Sequence, residues 1–224
     1  MGFHAIAIDG PAGAGKSTIA RALAQQLSFI YIDTGAMYRA IGLTAARAGI
    51  AGEARDAIVA LLPEIRLSLF FDREGQHILL NGEDVSASIR TEQASRYASL
   101  VSAIPEVRAF LLDFQRSFAR EHDVLMDGRD IGTVVLPDAD LKIFLTASPE
   151  IRAQRRYLEQ QQKGISASYE EILEAIRLRD HQDSTRAIAP LRPAQDAVIV
   201  DTSDCDLPEA IARMRKVVKE KLGV

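Results

Sequence analysis

Residues 10–18 read Gly-Pro-Ala-Gly-Ala-Gly-Lys-Ser-Thr, an apolar run precedes them, and an amphipathic stretch follows. Gly10, four residues, then Gly15-Lys16-Ser17 is the spacing of a phosphate-binding loop between a strand and a helix. Each residue type has a physical reason. Gly10, Gly13 and Gly15 admit backbone angles that a side chain forbids, so successive N–H groups turn toward one anion. The helix that follows adds its N-terminal donors and partial positive charge. Pro11, Ala12, Ala14 and Thr18 complete the loop, Lys16 supplies a full charge for the β- and γ-phosphates, and Ser17 offers a hydroxyl to Mg²⁺. A chain with this element reads as an ATP-binding α/β protein with Mg²⁺ at the phosphates.

The rest of the sequence supplies the matching sheet. Five short apolar runs, 3–8, 29–32, 124–126, 141–145 and 197–200, read as buried parallel strands, each tied to a helical segment. Helical spacing predicts helices over 16–27, from Pro105 to about 120, from Ser148-Pro149 onward, and over 169–183 and 207–222. The fold class is therefore α/β, a three-layer P-loop fold on a five-stranded parallel sheet. One stretch breaks the alternation. Residues 67–71 and 78–80, joined by Asp72-Arg73-Glu74-Gly75, read as an antiparallel hairpin, with a third extended piece about Val85. It marks an insertion over 65–102, and the core domain is expected to comprise 1–64 and 103–224.

Three runs end directly on an acid: Asp9, Asp33 and Asp127. Ligands gather outside the carboxyl ends of parallel strands, so these acids are candidates to hold Mg²⁺ through water. Asp127 is the favoured one, with Asp9 and Asp33 as rivals.

At 224 residues the chain suits one α/β domain with a modest insertion. Its formal net charge of −4 argues against a nucleic-acid polymer as partner. The single cysteine, Cys205, excludes an intrachain disulfide, and the four histidines lack metal-ligand spacing. No apolar window reaches a membrane span and no signal pattern opens the chain, which reads as cytoplasmic. Guanine-reading Asn-Lys-x-Asp is missing, so a switch GTPase is excluded. Compactness, an insertion and late arginines suit a kinase of a small acceptor, with a lid that keeps water from ATP.

Three further motifs carry a resemblance. Asp33-Thr34-Gly35-Ala36-Met37-Tyr38-Arg39, Asp127-Gly128-Arg129-Asp130-Ile131-Gly132-Thr133-Val134-Val135 and Arg179-Asp180-His181-Gln182-Asp183-Ser184-Thr185-Arg186 resemble the motif set of the bacterial cytidylate kinases. The resemblance runs from the first strand to the last helix. It implies transfer of the γ-phosphoryl group of ATP to CMP or dCMP, with 65–102 as the nucleoside-monophosphate-binding insertion and about 155–186 as the lid. It implies that Arg39 grips the acceptor phosphate with Thr34 and Tyr38 nearby. Ser99, Arg108 and Asp130 would contact the cytosine, and Arg179 and Asp183 the pentose. Arg129 and Arg186 would lie near the transferring phosphates, and Arg155 and Arg156 would stand at the start of the lid segment. By analogy with relatives of this size, a monomer is expected.

The chemistry fits these residue types. The acceptor brings its own ionised phosphate oxygen as nucleophile, so the enzyme must bring two anions together and stabilise charge in flight. Cytosine's N4 amino group donates to an acid such as Asp130, whereas uracil reverses the pattern at positions 3 and 4. Two other readings stay open at this point: a P-loop kinase of another small metabolite, with Asp33 as base, and an ATP-binding switch with little turnover.

Overall fold

The computed structural model describes residues 3–73 and 75–223, so Glu74 of the expected turn lies outside the described residues. In chain order the elements are β1 (Ala5–Asp9), α1 (Lys16–Leu27), β2 (Ile30–Asp33), α2 (Thr34–Arg47) and α3 (Arg55–Leu61). Then come β3 (Leu67–Asp72), β4 (Gly75–Leu80), β5 (Glu83–Asp84), α4 (Glu92–Val101) and α5 (Pro105–Glu121). The chain closes with β6 (Val124–Gly128), β7 (Leu141–Thr146), α6 (Pro149–Gln162), α7 (Tyr169–Thr185), β8 (Val198–Asp201) and α8 (Leu207–Leu222).

The main sheet has five strands in the order β2-β6-β1-β7-β8. β1 pairs in parallel with both β6 and β7, and β7 with β8. Ile6, Ile8, Leu125, Met126, Ile143 and Leu145 are almost wholly buried on these strands, the pattern of a sheet covered on both faces. The expected α/β class and the five strands are thus present, with boundaries moved by a residue or two.

By its internal contacts the chain forms two compact units. The first, up to Ile30 and from His122 onward, carries β1, α1, β6, β7, α6, α7, β8 and α8. Here α1 presents Ile19, Ala20, Leu23 and Ala24 to the core, and α8 presents Ala210, Met214 and Val218. α6 and α7 form a helical hairpin around Ala153, Ile172 and Ile176, with Tyr157 and Tyr169 meeting edge to face. This hairpin contains most of the segment expected as a lid, and it begins earlier, at Pro149.

The second unit runs from Tyr31 to Glu121. The hairpin is present as β3 and β4 in antiparallel register, Leu67 opposite Leu80. The third extended piece is β5, at Glu83 and Asp84 and so just ahead of Val85, which is buried. Around it lie α2, α3 and α4, which were not anticipated. α2 packs on α4, and a Cβ at Gly42 would fall 2.7 Å from that of Tyr97. Only glycine permits so close an approach. α2 and α3 extend the unit ahead of 65–102, and α5 extends it beyond.

Among the described residues no helix is long and apolar enough to cross a membrane.

Candidate active site

The loop between β1 and α1 has positive φ at Gly10, Gly13 and Gly15. Gly10 is also confined sterically, since an added Cβ would lie 1.9 Å from the carbonyl oxygen of Leu145 on β7. Side chains cap α2, α4, α6, α7 and α8 at Asp33, Thr91, Ser148, Ser168 and Asp206. Among the described residues none caps α1, which starts from left-handed Gly15. The first N–H groups of such a helix are the kind of donor set that can hold an anion.

Lys16 is buried and donates from Nζ to the Pro11 carbonyl at 2.7 Å, folded back over the loop. Burial first, and then the positive charges of Arg129 and Arg179, push its ammonium well below the usual lysine range. Asp127 and Asp9 act the other way. A polyanion in this neighbourhood restores the balance that three cations disturb.

The three strand-end acids have different partners. Asp127 accepts a hydrogen bond from Ser17 Oγ at 2.9 Å. Asp9 accepts the N–H groups of Ile131 and Gly132 at 2.7 and 2.8 Å, and burial pushes its carboxyl up to about 6. These two bonds fix the start of a π turn at Ile131–Val135, in which Leu136 N–H reaches the Ile131 carbonyl at 2.7 Å. Asp33 caps α2 by accepting from Ala36 N–H and pairs with Arg39 at 2.6 Å. Of the three, Asp127 is the one placed on the hydroxyl of the phosphate loop.

The arginines of the first unit are tied to acids and carbonyls. Arg129 donates from Nε to Asp183 at 3.0 Å, and Arg186, partly buried, lies 3.8 Å from the buried Asp130. Arg155 donates to the carbonyls of Thr202 and Cys205 in the loop after β8. Among the acceptor candidates of the second unit, the Arg108 guanidinium lies 5.7 Å from the centre of the Tyr38 ring and donates to the Ser102 carbonyl. Thr34 is buried at the first position of α2, and Ser99 is half-buried on α4.

One further residue carries weight at the phosphate loop. Arg152 is 3% exposed and donates to the Ala12 carbonyl in the phosphate loop, to the Ala147 carbonyl and to both oxygens of Asp180. Its first-turn position on a capped helix carries no sign of this in the sequence.

The family model for cytidylate kinase matches residues 6–220. The chain belongs to the cytidylate kinase family. Relatives of that name include one from Carboxydothermus hydrogenoformans, 49% identical over 219 residues, which are 98% of this chain and 99% of the relative. Another, from Caldanaerobacter subterraneus subsp. tengcongensis, is 50% identical over 215 residues, 96% of this chain and 94% of the relative. Among solved structures, that of an uncharacterized protein from Eubacterium ventriosum aligns with a TM-score of 0.53 at 13% identity. It covers 96% of this chain and 98% of its own, a likeness of fold alone. Membership of the family implies ATP as phosphoryl donor and small nucleotides as substrates, and it does not favour the metabolite-kinase and switch readings.

Proposed function

We infer that this protein is a (d)CMP kinase, transferring the γ-phosphoryl group of ATP to CMP or dCMP with formation of ADP and CDP or dCDP. Full-length membership of the cytidylate kinase family carries this reading. The phosphate loop, with Lys16 buried against it and Ser17 bonded to Asp127, supplies the matching chemistry.

Mg²⁺ fits the donors present. Ser17 and Asp127 would hold it with one hydroxyl and one carboxylate, the small set of hard oxygen donors that suits this ion. When bound it would draw charge from the β- and γ-phosphates. Lys16, Arg129 and Arg186 stabilise the charge on the transferring group, and the α1 N-terminus holds the donor phosphates. Arg39, with Thr34 and Tyr38, grips the acceptor phosphate. Asp130 accepts from the cytosine amino group, Arg108 and Ser99 take its other polar edge, and Arg179 and Asp183 hold the pentose. Arg155 and the helical hairpin over about 155–186 serve as the lid that keeps water from ATP. The unit from Tyr31 to Glu121, with the hairpin-containing stretch 65–102 inside it, serves as the acceptor-binding part. The working form is a cytoplasmic monomer.

The test is ADP release measured with CMP, dCMP, UMP, AMP and shikimate as acceptors. CMP or dCMP turns over fastest on this reading. A faster rate with UMP or AMP, or ATP binding without acceptor-dependent turnover, overturns it.

A further inference from the structure

Gln76 stands on β4, opposite Phe71 in the hairpin register. Its carboxamide makes a two-point bond to the main chain of Asp33. Oε1 accepts the Asp33 N–H at 2.8 Å, and Nε2 donates to the Asp33 carbonyl at 3.3 Å. A side-chain amide here does what a neighbouring strand would do for the last residue of β2.

Asp33 is the residue on which the acceptor-phosphate arginine rests. One carboxylate oxygen accepts from Ala36 N–H at 3.0 Å and fixes the first turn of α2, and the other holds Arg39 Nη2 at 2.6 Å. Gly35 leaves the space for this. A Cβ there would sit 3.1 Å from both Arg39 Nη1 and Asp33 Oδ1. The corner is thus a chain of contacts: Gln76 holds the Asp33 backbone, the Asp33 side chain holds Arg39, and Gly35 gives Arg39 room to lie there.

We propose that Gln76 is a positioning residue for acceptor binding, through which the hairpin sheet sets the place of Arg39. The proposal rests on the reading of Arg39 as the grip on the acceptor phosphate. Gln76 touches no reacting atom and works by fixing Asp33. Glutamine is required because the corner needs one acceptor and one donor at that reach. Glutamate keeps the acceptor but cannot donate to the Asp33 carbonyl when ionised, and it sets a second negative charge beside Asp33.

The test is steady-state kinetics of Gln76→Ala, Gln76→Glu, Arg39→Ala and the double variant Gln76→Ala/Arg39→Ala, with melting temperatures of each. Two hydrogen bonds of ordinary net strength correspond to roughly a tenfold effect. Gln76→Ala is expected to raise KM for CMP by about that factor, with KM for ATP unchanged. In the Arg39→Ala background the same change is expected to add nothing further to KM for CMP. If Arg39→Ala raises KM for CMP but Gln76→Ala does not, or if the two effects multiply, Gln76 does not act through Arg39 and the proposal fails alone. If Arg39→Ala leaves KM for CMP unchanged, the reading of Arg39 fails and takes the proposal with it. Should Gln76→Ala not fold, Gln76→Glu decides by size-matched substitution: a rise in KM for CMP supports the proposal and an unchanged value overturns it.

Discussion

Arg152 and Asp180 meet in a two-point ion pair, Nη1 to Oδ1 at 3.0 Å and Nη2 to Oδ2 at 2.6 Å, while the same guanidinium holds the Ala12 carbonyl at 3.0 Å. One buried side chain therefore ties α6, α7 and the phosphate loop together.

Arg152→Lys keeps the charge and loses the fork, so one or more of these acceptors is left buried and unmet. Each buried acceptor left unmet costs about 1–3 kcal/mol, and less at the partly exposed Asp180. In a chain of this size a fall in melting temperature on the order of 5 °C or more is expected. KM for ATP should rise as the loop loosens. Calorimetry and the ADP-release assay check the two effects, and an unchanged KM for ATP would confine Arg152 to stability.

Asp127→Asn should raise the Mg²⁺ concentration needed for half-maximal rate more than Asp9→Asn or Asp33→Asn does. Asp9 is committed to two backbone N–H groups and Asp33 to a helix cap and Arg39, whereas Asp127 faces the Ser17 hydroxyl. Mg²⁺ titration at fixed ATP separates the three. A larger shift at Asp33 would move the metal assignment to it.

Lys16→Ala should lower turnover by at least about 100-fold, the scale for removing one charge aimed at a developing anion. Near-normal turnover would remove Lys16 from the transfer step.

Asp130→Ala should erode the preference for CMP over UMP, because the acceptor for the cytosine amino group is lost. The ratio of kcat/KM for the two nucleotides is the measurement. An unchanged ratio takes Asp130 out of base choice.

His77 should make the hairpin sheet pH-sensitive. Its Nδ1 lies 3.0 Å from Asp84 and its Nε2 3.1 Å from Asp72, with the ring stacked on Phe70. The bond to Asp84, and then that to Asp72, holds the imidazolium above its ordinary 6.5. A raised value in the folded chain means that the contribution is complete below 6.5 and fades as pH rises through the raised value. Asp84, held at about 2 by Ser86 and then His77, stays ionised throughout that range. The stability lost in His77→Asn should therefore be largest near pH 5 and smallest near pH 9. Melting curves across pH check it, and a pH-independent difference would remove the ion pair as its cause.

The sequence made some of this legible and left some out, for physical reasons. α1 and α8 keep their expected limits because each buries one stripe at helical spacing. α2 has no single stripe: it buries Ala36, Met37, Tyr38, Ala40, Ile41, Gly42 and Ala45, large and small residues on several sides, so periodicity does not announce it. The phosphate loop is local, nine residues whose spacing is its own signal. Arg152 and Gln76 act on main-chain atoms 140 and 43 residues away, and no local pattern carries such a pairing.

The crowding of Gly10 by the Leu145 carbonyl separates two kinds of loop residue. Gly10 answers to the sheet: a descendant that had lost all affinity for ATP would still need glycine there to keep β1 beside β7. Lys16 answers to the nucleotide, and its buried charge would become a burden once the phosphates were gone. Sorting working enzymes from inactive descendants by sequence should therefore weigh the lysine and disregard the first glycine.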